Sequence, residues 1–264
     1  MTRSMNRFLG LVALAAMIGV ASAQTLAQRL QAAGSMSFKI NNAQYEIRAD
    51  GDCANSFASG TTGAQNTLTI NFLPNSLDFE ATINEIVNSI GSNQVVRFTA
   101  QVSDDGTRVT WTAQNIPNPV CAIVSISGSD TPFRIDQVYG TLIADLSEVG
   151  CAVDPLGALN RKVDISLSLA AGSEIGFNGW VADGTCETLY IPACARAFNI
   201  DFDGYGGRCP AGDVDGNGCV DDADLLQVLF NFGATGANDA DVNGDHIVDD
   251  ADLLIVLFNF GAGC

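Results

Sequence analysis

Histidine is almost missing from this chain: among 264 residues there is only His246. With none in residues 24–205, Ser-His and Cys-His nucleophile pairs and histidine-bearing metal sites are excluded from that stretch. Bases are scarce too, 12 Lys and Arg against 30 Asp and Glu, for a net charge of −18. The scarcity is uneven. Residues 212–264 hold eleven Asp and no Glu, Lys or Arg. Such a segment argues against nucleic acid or an anionic membrane as partners, since both need clustered bases. No CxxC pair occurs, so the eight cysteines (53, 121, 151, 186, 194, 209, 219 and 264) point to disulfides rather than zinc, and to an oxidising compartment. Spacing does not reveal which cysteines pair.

A continuous apolar run of about 20 residues, the length needed to span a bilayer, is also lacking. The run Phe8 to Val20 follows Arg3 and Arg7 and precedes Ala21-Ser22-Ala23. That charged, apolar, small-x-small order is the pattern of a secretory signal peptide ending at Ala23. The expectation is removal of residues 1–23, no membrane span, and a secreted protein that is free or held at the cell surface.

What is present is a repeat. DVDGNGCVDDADLLQVLFNFG (Asp213–Gly233) returns as DVNGDHIVDDADLLIVLFNFG (Asp241–Gly261), with 16 of 21 positions identical at a period of 28. So close a copy is one structural unit used twice. Oxygen-bearing side chains fall at positions 1, 3, 5, 9 and 12 of each unit, the spacing of an EF-hand-type loop around a hard cation. In the first they are Asp213, Asp215, Asn217, Asp221 and Asp224; in the second, Asp241, Asn243, Asp245, Asp249 and Asp252. Position 7, Cys219 or Ile247, would offer its backbone carbonyl. With no base nearby to offset this charge, a divalent cation is required, and binding couples to folding. Oxygen ligands on flexible loops favour Ca²⁺ over Mg²⁺ and disfavour zinc. Two Ca²⁺ sites are expected.

Each loop should run into a short apolar helix beginning near Asp222 or Asp250 and ending at Gly233 or Gly261 in the left-handed conformation. Position 6 needs positive φ and is Gly218 in the first loop but His246 in the second, which implies a strained second loop. Val220 and Val248, at position 8, are expected to pack loop against loop. Helices apolar nearly all round must pack on each other and leave a surplus face.

These two loop–helix units, lacking a leading helix and carrying Asp at position 12, resemble a type I dockerin over about residues 209–264. The resemblance implies calcium-dependent docking to a cohesin-like domain on a scaffold or surface protein. It further implies that positions 10 and 11, Asp222 with Ala223 and Asp250 with Ala251, read that partner, with their identity hinting at a two-fold symmetric module. The Asp-Ala pair departs from the Ser-Thr pair common in cellulosomal dockerins, which leaves open an intramolecular docking surface on the N-terminal domain. Cys209 and Cys264 bracket the module, and a bridge between them could contribute up to about 4 kcal/mol, with Cys219 as a competitor.

Residues 24–205 say less. A short helix is expected in residues 24–34, then short alternating runs that suggest an all-β sandwich or jelly roll. FKI (38–40) and YEI (45–47) read as a hairpin about Asn-Asn-Ala-Gln, and Asp105-Gly106 marks another turn. Residues 80–90 support helix and strand equally. GYGGRCPAG (204–212) reads as a glycine hinge before a module at 206–264. Glu80 with Glu85 and Asp104 with Asp105 suit surface and turn roles better than a glycosidase pair. Trp111 alternates with Val109 and Ala113 as core. Trp180 sits in a Gly-rich run where it could stack on a sugar, with Tyr139, Tyr190 and Tyr205 as weaker candidates. No catalytic residue is assigned. The expectation is therefore a mainly β secreted protein carrying a dockerin-like module, with polysaccharide as a further ligand. The alternatives are a glycoside hydrolase in the β-rich domain and a cell-surface protein whose C-terminus clips onto itself.

Overall fold

Alternation of apolar and polar residues builds most of the chain into strands. The computed structural model describes residues 24–263 apart from 50–55, 88, 91–92, 127–128 and 237. The expected signal segment 1–23, Cys53 and Cys264 lie outside the described residues. Helix α1 (Leu26–Ala33) opens the chain, capped by Thr25 and closed by Gly34 at φ 75°. The strands are β1 (Ser35–Ala49), β2 (Ser56–Thr62), β3 (Leu68–Asn71), β4 (Phe79–Thr82), β5 (Ser89–Ile90), β6 (Val95–Val102), β7 (Arg108–Ala113), β8 (Val120–Ile126), β9 (Ser129–Val153), β10 (Lys162–Leu169), β11 (Glu174–Ala182) and β12 (Leu189–Gly206). Helix α2 (Ile83–Val87) lies between β4 and β5, so the ambiguous stretch 80–90 is strand, then helix, then strand. Helices α3 (Asp222–Phe230) and α4 (Asp250–Phe258) complete the chain.

The protein is mainly β, and among the described residues its strands join into one antiparallel sheet of twelve. Three long strands make it continuous, β1, which holds β2 and β3, together with β9 and β12. β9 pairs in succession with β8, β11, β7 and β10, while β12 pairs with β11, β1 and β10. Separate packed sheets are therefore not how the strands are connected. Phe133, Ile135 and Phe177 from one part belong to the same buried cluster as Phe98, Trp111 and Leu167 from the other. The sheet must fold over on itself to enclose that core. Phe79 stacks on Phe98 at 4.6 Å and meets Trp111 edge-on at 5.8 Å. Trp111 is 1% exposed, and its indole N–H donates to the Leu77 carbonyl at 2.8 Å. It is a core residue, as its alternation with Val109 and Ala113 implied.

Two local expectations are corrected. The hairpin at residues 38–47 does not exist, because β1 runs through it and pairs with β12 along its length. The Asn-rich stretch forms irregularities in that ladder between Ile40 and Gln44. There Asn41, Asn42 and Gln44 bond to Asp203, Asp201 and Asn199. Side-chain partners on β12 replace the turn. The glycine hinge is likewise strand as far as Gly206. A Cβ on Gly204 would meet the Phe202 ring at 2.5 Å, and one on Gly206 would meet Leu30 Cδ1 at 2.3 Å. These glycines permit close packing rather than bending. The β6–β7 turn does form as read, with Gly106 at φ 69° and Asp105 accepting from the Thr107 amide at 3.1 Å.

Two disulfides are present among the described residues, Cys121–Cys186 and Cys151–Cys209. Cys209 is thus bonded to Cys151 and not to Cys264. The reason is topological: β10 pairs with both β9 and β12, which brings the end of β9 beside the residues leaving β12. The two Cα atoms lie 5.6 Å apart. Among the described residues no helix is long and apolar enough to cross a membrane.

Candidate metal centre

The two Asp-rich loops fold alike, and each carboxylate is held by its own loop. Asp213 accepts from the amides of Gly216 and Gly218, both at 3.0 Å, and Asp241 accepts from Gly244, Asp245 and His246 at 2.8–3.1 Å. Asp215 and its counterpart Asn243 accept from the residue two positions on, Asn217 and Asp245. Asn217 and Asp245 do the same for Cys219 and Ile247. This chain of local bonds winds the backbone of the two loops in the same way.

Asp221 and Asp249 start the helices. Each accepts from the amide two residues on, Ala223 or Ala251, at 2.8 Å. Asp224 and Asp252, three residues further, return a bond to the Asp221 and Asp249 amides and complete a capping box. The same two carboxylates reach across the loop. Asp224 takes the amides of Val214 at 2.6 Å and Asp215 at 3.0 Å, and Asp252 takes that of Asn243 at 3.0 Å. Both are 0% exposed.

Carboxylate oxygens of Asp213, Asp215 and Asp224 lie within 4.8 Å of one another. At that separation each pair of charges repels by roughly 3 kcal/mol for an effective dielectric constant of about 20. Burial, with Asp224 and Asp215 close by, holds the Asp213 carboxyl above its ordinary value despite the amides of Gly218 and Gly216. None of the loop carboxylates is in an ion pair among the described residues. The donor set is all oxygen, negatively charged and partly withdrawn from water, which fits a hard divalent cation. In the second loop the equivalent positions are Asp241, Asn243 and Asp252, with an amide in place of the middle carboxylate. Position 6 has positive φ in both loops, 89° at Gly218 and 71° at His246.

Val220 and Val248 are both fully buried, but they do not simply join loop to loop. Val220 exchanges backbone bonds with Ala262 and Gly261, beyond the end of α4, and Val248 with Ala234 and Gly233, beyond the end of α3. Each loop is therefore strapped to the other unit's helix end. The side chains close a second small core with Val214, Val228, Ala240 and Val256. Gly212 and Ala240 occupy equivalent positions, yet a Cβ on Gly212 would come within 2.9 Å of the Val256 Cα.

Burial repeats residue for residue from 221–234 to 249–262. Asp222, Ala223, Asp250 and Ala251, singled out as partner-reading positions, are exposed in the first helical turns. So are Leu226, Leu229, Phe230 and Phe232 and their copies Leu254, Leu257, Phe258 and Phe260, with the two phenylalanines at the helix ends 82% and 83% exposed. The module also touches the sheet: besides the Cys151–Cys209 bond, the Cys151 amide donates to the Gly216 carbonyl at 2.8 Å.

Among the described residues the sheet offers no comparable carboxylate constellation. Glu85 caps the Thr82 amide at 2.6 Å, and Asp105 is bound by Ser103 and Thr107 in its turn. A cleft of about 440 Å³ between α1 and the β6–β7 hairpin contains Asp78 and Asp104. Asp78 is held below its usual value by the Ala100 amide and Arg97, so it is a poor proton donor at neutral pH. No family model, no curated protein and no solved structure matches this chain.

Proposed function

We propose that residues 206–264 form a dockerin-like module that binds two Ca²⁺ ions and, so organised, docks an exported protein onto a cohesin-like partner at a scaffold or cell surface. The observation that carries this reading is the duplicated carboxylate loop, whose buried Asp224 and Asp252 each join loop backbone to helix start. In each loop, Asp213, Asp215, Asn217, Asp221 and Asp224, or Asp241, Asn243, Asp245, Asp249 and Asp252, would supply side-chain oxygens, and Cys219 or Ile247 a backbone carbonyl. The ion supplies positive charge that relieves carboxylate repulsion; the chain's own residues cap, pack and position the helices. The exposed copies of Leu226, Leu229, Phe230 and Phe232 are then the surface available to a partner.

The test is a calorimetric titration of the full chain with CaCl₂ after chelation, followed by capture of partners from its own secretome with and without chelator. Uptake of two ions with a gain of helix, and a partner retained only with calcium, is the expected result. Absence of ion uptake rejects the reading. An intramolecular clip is a second reading, favoured by the Cys151–Gly216 bond and the adjacent disulfide. It predicts two bound ions, intact folding and no calcium-dependent partner.

A further inference from the structure

One face of the sheet carries aromatic rings that the core does not use, Trp180 and Tyr139 among them. Along β11, Phe177 lies in the core while Ile175 and Val181 pack against it. Strand alternation places Gly176, Asn178 and Trp180 on the opposite face. Trp180 is half-buried there. On the neighbouring strand β9, Tyr139 pairs with Gly176. A Cβ on Gly176 would fall 2.6 Å from both Cζ and the hydroxyl oxygen of Tyr139. The tyrosine ring therefore lies across the glycine, on the same outer face, where any side chain at 176 would displace it.

Polar groups fill the space around the rings. Between them Asn178 Nδ2 donates to Gln137 Oε1 at 3.3 Å. Beyond Tyr139, Arg196 bonds Glu46 at 2.7 Å, sits 3.5 Å from Glu174 and lies over the Phe198 ring. Gly176 and Trp180 are four residues apart on one strand, which sets their backbone positions roughly 13 Å apart at about 3.3 Å per residue. The resulting strip is aromatic, amide pair, aromatic, then ion pair, on a continuous antiparallel sheet.

We infer that this strip binds a neutral glycan chain. A pyranose ring presents an apolar C–H face with hydroxyls around its edge. The rings of Trp180 and Tyr139 offer broad apolar area with little conformational entropy to lose. The exposed Gln137 side chain, with Arg196 and Glu174 at the rim, supplies donors and acceptors for the hydroxyls. At that backbone spacing an oligosaccharide, rather than a single sugar, spans both positions. A protein partner fits this face less well, since it lacks a contiguous aliphatic patch and charged groups interrupt it. The strip is separate from the calcium loops, so this inference and the docking reading can fail independently.

The experiment uses the full chain with its disulfides intact and calcium present. It measures depletion from solution by four insoluble probes: microcrystalline cellulose, xylan, chitin and granular starch. The expected result is retention on at least one, lost at least tenfold in Trp180→Ala and in Tyr139→Ala. Trp180→Phe should stay within a few-fold of wild type, which separates lost stacking from misfolding. Phe230→Ala, on the module, should bind glycan like wild type. Failure of the wild-type chain to bind all four probes overturns the inference. So does wild-type retention by the Trp180→Ala/Tyr139→Ala double variant.

Discussion

Val220 donates its backbone N–H to the carbonyl of Ala262 at 2.9 Å, and 28 residues on Val248 donates to Ala234 at the same distance. The first loop thus closes over the end of the second helix, and the second loop over the end of the first. Folding of either unit supports the other. Asp252→Ala, which removes the buried carboxylate of loop two, is expected to lower the calcium-induced gain in far-UV ellipticity by more than half. A loss confined to one helix would show that the units fold separately.

His246 occupies φ 71°, a conformation that costs a non-glycine residue about 1–2 kcal/mol. His246→Gly is expected to tighten calcium binding at the second loop by about fivefold or more, each 1.4 kcal/mol being a factor of ten. Gly218→His should weaken the first loop. Calorimetric titration of both variants checks this, and unchanged affinities would mean that the backbone strain is relieved elsewhere.

The Cys151–Cys209 bond ties the first loop to β9 across 58 residues of sequence. Replacing both by Ser is expected to lower stability by up to about 4 kcal/mol, less insofar as the Cys121–Cys186 bridge already restricts the unfolded chain. Calcium is also expected to protect the Cys151 amide, which donates to Gly216, in the wild type, and that protection should be lost at residue 151 in the variant. Hydrogen exchange at that amide, with and without calcium, is the direct readout.

Acid should act on the turns of the sheet. Asp105 is lowered to about 2 by the Ser103 hydroxyl and the Thr107 amide, and Asp183 to about 2 by Thr188 and Thr185. Both folded values lie below the usual 3.8, so their stabilisation is present above pH 4 and is lost as pH falls from about 4 to 2. Asp105→Asn and Asp183→Asn should have lower melting temperatures than wild type at pH 6, with the gap closing by pH 2. A gap independent of pH would assign the effect to packing.

Much of the C-terminal loop–helix repeat was legible because its determinants are local. Asp221 and Asp224 lie three residues apart and cap one helix, and Gly218 or His246 meets the need for positive φ within a single turn. The β6–β7 hairpin was legible for the same reason. The run 38–47 was misleading because Asn41 and Asn42 look like turn residues until Asp203 and Asp201 are placed opposite them. Those partners are about 160 residues away, and no local pattern signals them.

The sequence by itself determined the period of 28, the placing of oxygen-bearing side chains in each loop, the helix starts and the alternation that builds strands, since each depends on neighbours within a few residues. Only the tertiary structure decided that β9 and β12 are long enough to join all strands into one sheet, that Cys209 meets Cys151, and that Tyr139 lies over Gly176 on the face carrying Trp180. These are encounters between distant segments. They are set by which apolar faces can be buried together, and that is a property of the whole chain.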